Sequence, residues 1–161
     1  MRLLILIFTL IFSGTVLSEN FVVKVSPQYC VDGVHQQLNG PFAIYVFCDD
    51  ALGSNISVFL KDLGAPFSGK YSLGSRFWQG QLWSNDVTSF VWLENRTELL
   101  VATSGGYGTG ALYLLNLNEQ ESKILFKVEN ADIQLLKVKG NDIDLKYENS
   151  SGKYQVVKIA M

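Results

Sequence analysis

The side chains best suited to holding a ligand are gathered in Arg76-Phe77-Trp78-Gln79-Gly80-Gln81-Leu82-Trp83-Ser84-Asn85-Asp86. Aromatic faces stack on sugar rings or peptide side chains, and Arg and amide groups fix orientation, so Arg76, Trp78 and Trp83 are the expected ligand contacts. Tryptophan in a small β protein is more often core than surface, and burial of one of the two is the competing expectation. A second candidate is Ser104-Gly105-Gly106-Tyr107-Gly108-Thr109-Gly110, a glycine-rich loop able to border a ligand with Tyr107 at its centre.

Catalytic chemistry finds less material. His35 is the single histidine, and no Gly-x-Ser-x-Gly elbow accompanies it, so a Ser-His-Asp triad has no second member to point to. Carboxylates are paired at Asp49-Asp50, Glu119/Glu121 and Asp142/Asp144. A glycosidase-like hydrolase works with such pairs, but acids beside turns usually cap and solvate those turns. Gly64-Ala65-Pro66-Phe67-Ser68-Gly69-Lys70-Tyr71 has phosphate-loop spacing until Tyr71 replaces the hydroxyl that holds magnesium. Gly106 to Ala111 fits a loose dinucleotide fingerprint, yet a strand-like Leu-Tyr-Leu-Leu follows where a helix must receive the pyrophosphate. Two cysteines, without a CxxC pair and with one imidazole, fall short of a zinc site. These residues imply no catalytic group, no cofactor and no metal, and favour a binding module over an enzyme; the alternative is an exported, carboxylate-based hydrolase.

The start of the chain says where it is sent. Met1-Arg2 precedes an apolar stretch from Leu3 to Phe12, then Ser13-Gly14-Thr15-Val16-Leu17-Ser18 and the first acid, Glu19. That order is the signature of a secretory signal, with an apolar core too short to span a bilayer comfortably and small residues before the cut. Residues 1–18 are therefore expected to be a signal peptide cleaved after Ser18, and residues 19–161 a single secreted or periplasmic domain without a membrane anchor. In an oxidising compartment Cys30 and Cys48 are expected to form a disulfide, worth on the order of 3 kcal/mol. Asn55, Asn95 and Asn149 open glycosylation sequons, relevant only in a eukaryote.

Composition sets limits on partners. The chain is 48% hydrophobic and 17% charged, too apolar for disorder, and its net charge of −2 supplies no basic surface for nucleic acid. Protein, peptide or glycan ligands are the expected partners, together with oligomers formed through sheet edges.

The elements that must position these residues are strands. After residue 20 the apolar runs are short, rich in Val, Ile, Leu, Phe and Tyr, and bounded by Gly, Asn, Asp or Ser. Strands are predicted at 21–25, 42–48, 56–60, 87–93, 98–103, 111–117, 123–128, 133–138, 143–147 and 154–159, with one or two more between 70 and 83. Hairpin units starting at Ala43, Leu99 and Ile143 repeat at roughly the blade length of a β-propeller. The segment from Phe90 to Thr103, with Gly110 to Leu117, resembles one blade of the WD40-like repeats of periplasmic propellers over roughly forty residues. It departs from them at Glu94-Asn95-Arg96-Thr97, where a Pro-Asp-Gly turn is usual. The predicted fold is all-β: antiparallel four-stranded meanders, propeller-like with about three units, or alternatively a β-sandwich. Lys137, Lys139, Lys146, Lys153 and Lys158 are expected to protect an exposed edge.

Overall fold

A computed structural model describes residues 19–25, 33–36, 42–49, 53–60, 87–93, 97–105, 108–119, 121–148 and 151–161. Within these the chain forms twelve strands: β1 (Glu19–Asn20), β2 (Val23–Lys24), β3 (Gly33–Gln36), β4 (Phe42–Asp49), β5 (Gly53–Leu60), β6 (Val87–Trp92), β7 (Glu98–Thr103), β8 (Thr109–Asn116), β9 (Glu121–Glu129), β10 (Ile133–Lys139), β11 (Asp142–Glu148) and β12 (Tyr154–Ala160). All pair antiparallel, and no helix occurs among the described residues.

Three sheets result: a small one ordered β3-β4-β5, a central one ordered β2-β6-β7-β8-β9, and a C-terminal one ordered β1-β10-β11-β12. They stack in layers, because two apolar clusters each join two sheets. Phe42, Ile44, Val46, Ile56 and Val58 of the small sheet meet Phe90, Leu99, Val101, Tyr113 and Leu115 of the central one. On the other face of the central sheet, Val91, Leu100, Ala102 and Leu112 meet Ile133, Leu135, Val138, Ile143 and Leu145. None of the three sheets closes on itself.

Sequence pattern predicts layer position. In β7, Leu99-Leu100-Val101-Ala102 is a continuous apolar run, and each of the four is 0% exposed, since the central sheet is covered on both faces. In β11 the sequence alternates Asp142-Ile143-Asp144-Leu145-Lys146, and only Ile143 and Leu145 are buried. Full burial of each such side chain contributes roughly 1.5–3 kcal/mol. Polar bonds lock the two larger sheets together: Ser89 Oγ accepts from the Leu135 N–H at 2.8 Å, and the Thr88 hydroxyl donates to the Ile133 carbonyl.

The three hairpin units read from the sequence fall one to a sheet: β4–β5, β7–β8 and β11–β12. The middle unit grows into the full meander β6-β7-β8-β9, as expected, with β2 added at its edge. The other two sheets depart from four-strand meanders. The small sheet has three described strands, and the C-terminal sheet is a three-strand meander completed by β1.

Two further expectations are corrected. The run 21–25 is not one strand. β1 pairs with β10 and β2 with β6, and between them Phe21 is 83% exposed. The lysine alternation does not mark an edge in β11, which is interior, or at Lys139, which β1 covers; Lys137, Lys139 and Lys146 lie on the open face of the C-terminal sheet, and of the five lysines named Lys158 is the one within an edge strand. The strands predicted between 70 and 83 lie outside the described residues.

Candidate functional site

The best-defined polar constellation is the base of the glycine-rich loop between β7 and β8. At one end Ser104 Oγ donates to Asp132 Oδ1 at 2.5 Å, and the Gly105 N–H reaches both that oxygen at 3.2 Å and the Ala131 carbonyl at 3.0 Å. At the other end the Gly108 carbonyl accepts from the Asn130 N–H at 2.6 Å, and the Gly108 N–H donates to the Gly105 carbonyl. One turn, Asn130-Ala131-Asp132, thus fastens both arms of the loop. Asn130 holds a φ of +48°, a left-handed conformation that asparagine tolerates, and this aims the turn at the loop.

Glycine at position 105 is dictated by contact. A Cβ there would stand 2.5 Å from the Ala131 oxygen, 2.7 Å from the Gly110 nitrogen and 2.8 Å from the Ala131 nitrogen. Beneath the loop, the buried Thr103 hydroxyl accepts from the Ala111 N–H at 3.1 Å and donates to the Ala111 carbonyl at 3.2 Å, closing the ends of β7 and β8.

Charge and aromatic surface lie beside this base. Tyr154, 65% exposed at the start of β12, has Lys146 Nζ 5.1 Å from its ring centre and Glu148 opposite it in register. A hydrogen bond to Glu148 raises the Tyr154 pKa above its ordinary value, helped by the Glu148 charge, by partial desolvation and by the charge of Asp132. Asp132 therefore contributes both to the loop clasp and to the field at Tyr154.

A second polar surface occupies the other half of the same sheet. Lys137 faces Asp144 and Lys139 faces Asp142 across β10 and β11, while Lys158 Nζ lies 3.9 Å from Asp144 Oδ1. These five side chains line an open depression of about 540 Å³. Exposed pairs of this kind add at most about 1 kcal/mol each. Asp142 and Asp144 thus sit side by side on one strand among lysines, and Glu119 accepts from the Asn116 amide at 2.8 Å. Asp49 ends β4 opposite Gly53, and Asp50 lies outside the described residues.

His35 takes a packing position between the small and central sheets, its ring edge-on to Phe90 with centroids 5.3 Å apart and planes at 81°. Burial lowers its pKa below 6.5. Among the described residues no group of three metal-ligating side chains assembles.

Arg76, Trp78, Trp83 and Tyr107 lie outside the described residues, as does Cys30; Cys48 falls in β4 opposite Ser54. Reading the sequence missed the Ser104–Asp132 clasp and the lysine-aspartate face. The face has a local signal. Gly140-Asn141, with Gly140 at φ +60°, is a two-residue turn, and counting back from it pairs Lys139 with Asp142 and Lys137 with Asp144. The clasp has no such signal, for its partners are 28 residues apart and meet only because β8 and β9 separate them by a complete hairpin.

Searches against protein-family models, curated proteins and solved structures find no match.

Proposed function

We propose that this chain is an exported binding or protein-interaction module, built as a propeller-like stack of β-meanders, that takes a peptide, glycan or protein ligand on its loop surface. The observation that carries the reading is the double fastening of the glycine-rich loop onto the Asn130–Asp132 turn. A loop held at both arms loses less freedom when a ligand is bound, which is the main entropic cost of loop recognition. Exposed Tyr154, with Lys146 and Glu148 beside it, adds the mixture of aromatic face and orienting polar groups that sugar and peptide sites use.

In this reading Arg76, Trp78, Trp83 and Tyr107 contact the ligand. The blade-like arrangement is supported by the placing of successive hairpin units in successive layers, three where a sandwich has two. Export with cleavage after Ser18 is supported by the signal grammar of residues 1–18. Among the described residues no helix is long and apolar enough to cross a membrane.

The test is a glycan and peptide array probed with the purified protein, alongside a broad hydrolase panel and an intact-mass measurement. Binding that Trp78→Ala or Trp83→Ala weakens at least tenfold, with the melting temperature unchanged, supports the module. Turnover lost on changing Asp142 or Asp144 sinks it in favour of a hydrolase, and a retained leader sinks the export reading.

A further inference from the structure

We infer that the outer edge of β12 is a self-pairing surface, through which two copies of this chain join their C-terminal sheets into one continuous antiparallel sheet. β12 is the last strand in the order β1-β10-β11-β12, so its backbone groups turned away from β11 have no strand partner among the described residues. Unpaired edges of this length are templates for another strand, and proteins ordinarily blunt them with bulges, proline or several charges. β12 has none of these. Its register with β11 runs from Asp142↔Ala160 to Glu148↔Tyr154 without a shift, and Lys158 is its one charge, already beside Asp144 at 3.9 Å. The contrast is β9, the edge of the central sheet, which carries Glu121, Lys123, Lys127 and Glu129 and has a register shift against β8.

The sequence of β12 selects a second copy. Antiparallel pairing of two identical strands over their full seven residues must be centred on Val157, which then faces itself. The outer row pairs Tyr154 with Ala160 and Val156 with Lys158, so no like charges stand directly opposite. Ala160 is small enough to leave the Tyr154 ring open on that face. The inner row pairs Gln155 with Ile159 and Val157 with Val157. Val157 and Ile159 are half-buried at the margin of the cluster between the central and C-terminal sheets. Pairing brings the margins of two such clusters together and covers both. A two-fold axis also closes the assembly at two copies.

The dimer uses no loop residue and shares only Tyr154 with the ligand surface, so its self-pairing is tested separately from the ligand reading. A single pair of edge strands is a narrow contact, so association is expected to be concentration-dependent. The test is sedimentation equilibrium of the purified protein at up to about 1 mM, a concentration that populates a dimer with a millimolar dissociation constant. The expected result is a monomer–dimer equilibrium. Val156→Lys, at a position 64% exposed, should raise the dissociation constant at least tenfold with circular dichroism and melting temperature unchanged, because it sets a new charge against Lys158 of the other copy. Facing residues in antiparallel strands have Cα atoms about 4.5–5.5 Å apart, within disulfide reach. Val157→Cys should therefore give a disulfide linking position 157 to itself, found by mass spectrometry of the non-reduced digest, and Gln155→Cys should not give one. A monomer at every concentration overturns the inference. So does a dimer indifferent to Val156→Lys, or one without the self-link at position 157. If Val156→Lys impairs folding, the position-157 link decides.

Discussion

Replacing Gly105 by alanine tests the loop clasp most directly. The added methyl would stand 2.5–2.8 Å from three backbone atoms, closer than the 3.0 Å limit that real Cβ atoms observe. All three atoms belong to the main chain, so no side chain can swing aside. The loop must lift from the Asn130–Asp132 turn, or β8 must shift against β9. Overpacking of this kind costs about 1–3 kcal/mol. Lifting also strains the two bonds of the Gly105 N–H, to Ala131 and Asp132, for about 1 kcal/mol more. The sum is about 2–4 kcal/mol, a large part of the roughly 5–15 kcal/mol that holds a domain folded. At about 4 °C per kcal/mol, the melting temperature should fall by roughly 8–16 °C. Urea denaturation and calorimetry measure it. Gly108→Ala is the control, since among the described residues its Cβ would meet only the Gly105 carbonyl at 3.4 Å, and it should cost under about 0.5 kcal/mol. In an Asp132→Ala background the Gly105→Ala penalty should shrink, because half of the clasp is already gone. A Gly105→Ala protein within about 0.5 kcal/mol of wild type would refute the reasoning, because the loop would then not be seated on the turn.

Other outcomes follow from the layers. Leu135→Ala, in the fully buried cluster between the larger sheets, should cost about 2–5 kcal/mol in urea denaturation, whereas Lys158→Ala should stay within about 0.5 kcal/mol. Ser89→Ala removes the acceptor of the buried Leu135 N–H and should cost about 1–3 kcal/mol in urea denaturation, more than Ser89→Thr, which keeps a hydroxyl. His35 has its pKa lowered by burial, so the unfolded chain takes up the proton first as pH falls through 6.5. Stability should therefore be full above pH 6.5, decline below it and level off under the folded-state pKa. His35→Phe should flatten that part of a pH series of denaturation midpoints, and an unchanged slope would exclude His35 as its source.

Local chemistry made much of the fold legible. Glu98–Thr103 is a strand from end to end, as its apolar run bounded by polar residues predicts, and the units starting at Ala43, Leu99 and Ile143 are hairpins. Gly33-Val34-His35-Gln36 escaped notice because one apolar residue in four gives no alternation; its strand conformation comes from pairing with the strongly apolar β4. The lysines of β10 and β11 were misplaced for a different reason. Alternation reveals that one side of a strand is wet, but not whether another strand lies beside it, and β1 comes from the far end of the chain to lie beside β10. Of the site, glycine content marked the loop, but the partner that holds it is fixed by stacking and register, which no window of sequence contains.

The split between β1 and β2 has a consequence for the order of assembly. Within a few residues the chain crosses from the C-terminal sheet, at Glu19–Asn20, to the central one, at Val23–Lys24. It works as a stitch through two layers. Its partners Val138 and Lys139 follow far along the chain, so β1 must wait unpaired until β10 has been made. Such long-range closure is the slow kind of folding event, and the final stitch sets a kinetic lock: a layer cannot peel away from its neighbour until β1 and β2 let go.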